Sequence, residues 1–239
     1  MKKYLFCLSL LLSGAVLADP LADANALFVK KSYAEALQIY TKLANAGNPE
    51  AQLHMGEMHL YGEAGAIDLV KAEAWFRKSA AKGNKTAIAA LDMMKRRTER
   101  KADMEYWISK YDGSELKTGK YRCPAPRIPA MSKQNYEIAE VDKKMQVWQA
   151  CYNAFVENLN AANPLSKKIP KDIADLLTKD ESAQATAHLD KVYQDIVEEA
   201  KIASKLLMAD FHMWRDATDA YVTEHNRMVK DAAASGKAK

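Results

Sequence analysis

The residues of this chain that could do chemistry are few. They are Cys123 and Cys151, and the run His54, Met55, Met58 and His59. The five histidines (His54, His59, His188, His212 and His225) form neither an HExxH motif nor an i,i+4 pair, so they do not have the spacing of a helical zinc site. Thioether and imidazole donors as close as His54, Met55, Met58 and His59 suit copper, and core packing is the competing account of them. No G-x-S-x-G nucleophile turn occurs, and a cysteine already oxidised cannot be a nucleophile for a nearby histidine. Acidic neighbours such as Glu198 and Glu199 fall on a charged helix face. The expectation is a protein without a catalytic centre, metal site or cofactor.

The cysteines set the compartment. Lys2 and Lys3, the apolar run from Tyr4 to Leu12, and Val16-Leu17-Ala18 before Asp19 read as a secretory signal peptide, residues 1–18, cleaved after Ala18. The run is too short for a spanning helix of about 20 residues. An uncleaved anchor is the alternative, and a lipoprotein is excluded because Cys7 lies inside the apolar run. Cys7 would leave with the signal, so Cys123 and Cys151 remain as an even pair in an oxidising compartment, where a disulfide is the default. Two free thiols or a two-cysteine metal site are the other options; no CxxC or nearby histidine completes the latter. The predicted location is periplasmic or secreted.

The mature chain, 19–239, carries 33 basic and 31 acidic side chains. That near balance gives no field for nucleic acid or acidic lipid. Nine glycines and seven prolines among abundant Ala, Leu, Lys and Glu favour helix. No stretch after the signal is apolar enough to span a membrane.

One spacing organises the first half. Ala36, Tyr40, Ala44, Gly47, Asn48 and Ala51 recur 36 positions on as Ala72, Phe76, Ala80, Gly83, Asn84 and Ala87. A period of roughly 20–50 residues means stacked supersecondary units. Helices are expected at Leu21–Val29, Tyr33–Ala46, Glu50–Tyr61 and from Asp68 to Lys82, with Gly47 and Gly83 as stops and Asn48-Pro49-Glu50 as a restart. Ala51-Gln52, Met55-Gly56, Gly62, Asp68, Lys71-Ala72, Trp75-Phe76 and Lys78-Ser79-Ala80, closing with Gly83-Asn84, resemble the Sel-one-like repeat, a relative of the tetratricopeptide repeat. Met55 stands where that family usually has Leu, and Gly62-Glu63-Ala64-Gly65 replaces its Gly-x-Gly-Val loop. Residues 21–49 match the second half of a repeat, and Ala87 to about Arg100 resembles the first helix of a third. The resemblance implies an α-solenoid that binds proteins or peptides, with Met55 in the core and His59 at an aromatic position. It also implies that the first helix of each pair lines a concave face. His54, Glu57, Tyr61 and Lys85 are the candidate partner-binding residues there.

The second half reads as a coiled hairpin. One long helix is expected over Lys85–Lys110, bearing the basic run Lys95-Arg96-Arg97 with Arg100-Lys101, read as a solvated face or a dock for an acidic partner or anionic lipid. Residues 112–131 are a proline-rich strap pinned by Cys123. From Ser132 to Pro164, Ile138, Val141, Met145, Trp148, Tyr152, Phe155 and Leu159 step 3, 4, 3, 4, 3, 4, a heptad seam. Thr178 and Glu181 make a capping box. The last helix, about 179–234, has a looser seam through Tyr193, Ile196, Leu207, Trp214, Tyr221 and Met228.

The fold class is therefore all-α, a short α-solenoid followed by a long antiparallel helical hairpin. Its parts are a repeat domain over 19–111, the strap over 112–131, a hairpin domain over 132–234 and a disordered tail over 235–239. An unfinished solenoid leaves Ile88, Leu91 and Met94 in need of a cover, which the hairpin or strap would supply unless a flexible link at Asp112–Gly119 separates two domains. The function expected is non-enzymatic scaffolding: a protein or peptide partner held in the repeat groove. The alternative is a structural envelope protein, a homodimer through its last helix.

Overall fold

The computed structural model describes residues 19–236; the signal segment 1–18 with its cleavage point, and residues 237–239 of the tail, lie outside them. The described residues are all helix and loop, without a strand, and divide into two compact units between Glu99 and Arg100.

The first unit is five helices, each packed on the next: α1 (Pro20–Val29), α2 (Tyr33–Asn45), α3 (Pro49–Tyr61), α4 (Leu69–Ala80) and α5 (Lys85–Glu99). Each start has its chemical reason. Asp19, Asn48, Asp68 and Asn84 accept hydrogen bonds from backbone N–H groups two or three residues on, which satisfies donors a helix N-terminus leaves orphaned. The period-36 residues are the core: Ala36, Tyr40, Ala44 and Ala51 pack with Met55 and Met58, while Ala72, Phe76 and Ala87 pack with Leu53. Gly56 allows α3 and α4 to close; a Cβ there would lie 2.5 Å from the Phe76 ring. Buried polar groups tie neighbours: Gln52 Nε2 donates to the Ala44 carbonyl (3.0 Å) and Ser79 Oγ to the Pro49 carbonyl (2.6 Å).

The single helix expected over Lys85–Lys110 is corrected. It breaks at Arg100 (φ −102°, ψ 16°), and the chain resumes as α6 (Lys101–Glu105) and a π turn over Tyr106–Lys110. Tertiary packing overrides propensity here. Met104, Trp107 and Ile108 bury against Ile173 and Leu176, and the wide turn stacks Trp107 on Tyr111 at 5.2 Å.

The second unit is the hairpin. After the strap come α7 (Asn135–Ala162), α8 (Lys171–Ala174) and α9 (Lys179–Gly236), a helix of 58 residues and about 87 Å. Both capping boxes form, Gln134 with Glu137 and Thr178 with Glu181. Antiparallel order follows from the cross-pairs. The Tyr193 hydroxyl meets Asn160, Tyr152 reaches the Ala200 carbonyl, Met145 and Trp148 pack on Leu207, and Ser132 meets Trp214 and Thr218. At this last level Trp214 Nε1 donates to Ser132 Oγ (2.9 Å), and the Ser132 N–H donates to Thr218 Oγ1 (3.0 Å), all buried. Beyond Thr218 no α7 residue remains to pair, so Met228, expected in the seam, is exposed.

Cys123 and Cys151 are bonded, with Cα atoms 5.7 Å apart. From there the strap runs beside α7 toward Ser132, with Ile128 packed near Met145, Trp148 and Leu207. Nine extended residues at about 3.1 Å each cover about 28 Å, which matches the roughly 24 Å of α7 between Asn135 and Cys151.

Candidate functional site

Tyr40 of α2 is fully buried between α1 and α3, and its hydroxyl donates to Asn25 Oδ1 at 2.7 Å. On it rests the His54 ring of α3, centroids 4.9 Å apart, and Phe28 of α1 completes the aromatic set. His54 Nδ1 lies 2.8 Å from Glu57 Oε2, one turn on. Two of the four sequence candidates are thus brought together, and the tilted Tyr40 and Phe28 rings back the histidine. Tyr61, about one turn beyond Glu57, is exposed at the end of α3. Lys85 is exposed at the start of α5 and shares no ion pair or hydrogen bond with the other three.

The electrostatics around these rings are acidic. Burial first, then Glu57, Glu50 and Glu63, push the Tyr40 phenol up to about 12. Burial also raises the Glu63 carboxyl, and Glu57 adds to that, against a hydrogen bond from Tyr33 that lowers it. Glu63 Oε2 is buried without a hydrogen-bond partner.

The run His54, Met55, Met58, His59 is divided between core and surface. Met55 and Met58 point into the core. His59 lies on another face from His54, and burial followed by Lys71 lowers its pKa. Among the described residues, no group of three or more His, Cys, Asp or Glu side chains could hold a metal ion. The basic run is laced with acids: Lys95 with Glu99, Arg96 with Asp92, Arg100 with both Asp103 and Asp172, and Lys101 with Glu105.

One surface went unread in the sequence. Val29, Ile67, Leu69 and Val70 are more than half exposed, like Tyr61. The C-terminal ends of α1 and α3 and the turn into α4 share one end of the helix stack, so these residues sit at a common edge. The signal was present: Leu69 and Val70 fall outside the buried face of α4, which is Ala72, Phe76 and Ser79.

Against known proteins, the Sel1 repeat family matches residues 21–48 and 49–84. Neither the curated proteins nor the solved structures contain a significant match to the chain. The first helical hairpin and α3–α4 are therefore two Sel1 repeats, a helical solenoid unit that generally mediates protein–protein interaction and is typically non-catalytic.

Proposed function

We propose that this chain is an exported, non-enzymatic adaptor that holds a protein or peptide partner against the exposed surface of its Sel1 repeats. The observation that carries the reading is the preorganised patch on α3. The His54–Glu57 pair is backed by the Tyr40 and Phe28 rings, with exposed Tyr61 beside it, all within the matched repeats. The buried rings behind the pair hold it in one geometry, which lowers the ordering cost of meeting a partner. Export is supported by the leader-like segment before Asp19 and by the Cys123–Cys151 bond. No described helix is long and apolar enough to cross a membrane.

A photo-crosslinking residue at Tyr61, compared with one at Asp210, tests the reading in the native envelope. A partner captured at the first position only, and lost on Glu57→Arg with helix content unchanged, is the expected result. Equal capture at both positions sinks it. Mass spectrometry of the secreted chain should find Asp19 as its first residue.

A second reading has its own observation. Ile202, Leu206 and Met213 are exposed on one stripe of α9, which fits a structural protein that dimerises through this helix.

A further inference from the structure

The strap carries a feature unrelated to the repeats. Between it and α7 lies a cleft of about 570 Å³ beside the disulfide. Pro124, Pro126, Val147, Trp148 and the Cys123–Cys151 bond give it an apolar lining. The rim is cationic. Lys144 is held by Glu140 at 2.7 Å, but Arg122 and Lys143 have no acidic partner among the described residues. A volume of this order, walled by apolar and aromatic groups with a few charges at the mouth, is typical of small-molecule sites.

We infer that this cleft binds an amphiphile with an apolar body and one anionic head. The apolar body would cover Val147, which is 65% exposed, and the head would meet Arg122 and Lys143. Charge complementarity selects the sign: Arg122 and Lys143 are exposed cations at the mouth of an apolar cleft and attract an anion. The strap disfavours a peptide as occupant. Pro124, Pro126 and Pro129 offer no N–H groups, so an added strand would find few donors. The disulfide holds the wall before the ligand arrives, which lowers the ordering cost of binding.

Calorimetric titration of the mature chain with decyl sulfate, kept below its micellar concentration, tests this. One saturable site is expected. Arg122→Gln with Lys143→Gln should weaken it about tenfold or more, the loss expected for charge-assisted contacts. Lys205→Gln with Lys230→Gln, which removes the same net charge from α9, should leave it unchanged. Val147→Glu should abolish binding while circular dichroism stays that of the parent. Absence of a saturable site overturns the inference. So does equal weakening by both double variants, binding of decanol as tight as that of decyl sulfate, or binding of an acidic peptide in its place.

Discussion

Gly56 carries more of the repeat's geometry than any charged residue near it. The Phe76 ring occupies the space a side chain would need, 2.5 Å from where a Cβ would stand. In a mid-helix position alanine ordinarily gains about 1 kcal/mol over glycine. Here overpacking opposes that gain at about 1–3 kcal/mol, so Gly56→Ala should lower stability in urea titrations rather than raise it. Two carboxylates should respond to pH with opposite signs. Glu115 sits where burial alone would raise its pKa. Hydrogen bonds from the Tyr111 hydroxyl (2.6 Å) and its own backbone, with Lys168 beside it, outweigh burial and lower it. Its stabilisation is present above the unfolded carboxylate pKa and is lost as pH falls through the folded one. Glu63 is raised by burial, so its ionisation disfavours the fold as pH rises. Thermal melts should therefore show Glu115→Gln below the parent at neutral pH and Glu63→Gln above it. Both gaps should close in acid.

At the scale of elements, the strap is held by one covalent bond and by Leu116, Tyr121 and Ile128, which pack on the hairpin. The bond closes a loop with a sequence separation of 28 residues, worth about 3.6 kcal/mol in the chain-entropy account. Cys123→Ser with Cys151→Ser should lower the denaturant midpoint accordingly, and the strap backbone should exchange its amide hydrogens faster than α7. Local periodicity accounts for most of what was legible here. The heptad spacing of α7 maps onto its buried Val141, Met145, Trp148, Phe155 and Leu159, and the capping pairs at Asn48, Asp68 and Thr178 form. What was not legible depends on partners far along the chain. The break at Arg100 follows from Trp107 and Ile108 packing near Ile173, more than sixty residues on. Ser132 looks like an ordinary helix start, yet its hydroxyl and N–H engage Trp214 and Thr218. Of the candidate residues, His54 and Glu57 were named because the repeat resemblance puts α3 on a concave face; that they touch follows from their i,i+3 spacing. The Tyr40 floor beneath them needed three helices in place.

For the molecule as a whole, the long helix α9 has two apolar sides, and they predict different things. Leu207 and Trp214 face α7 and the strap and are nearly inaccessible. On the other side Ile202, Leu206, Ala209 and Met213 step 4, 3, 4, with the three large residues 51–64% exposed. That spacing is a coiled-coil seam, and a seam of this kind is best covered by another like itself. A second copy of α9 across a two-fold axis supplies one without any further element. The mature chain is therefore expected to scatter light as a dimer. Leu206→Lys with Met213→Lys should return it to a monomer with unchanged helix content. Leu207→Lys should act differently: a charge buried between α7 and α9 unfolds the hairpin, and the helix signal falls with it. A parent chain that is monomeric at every concentration, or a Leu206→Lys, Met213→Lys variant that stays dimeric, would remove the outer stripe as an interface. The repeats would then be left as the surface through which this protein meets others.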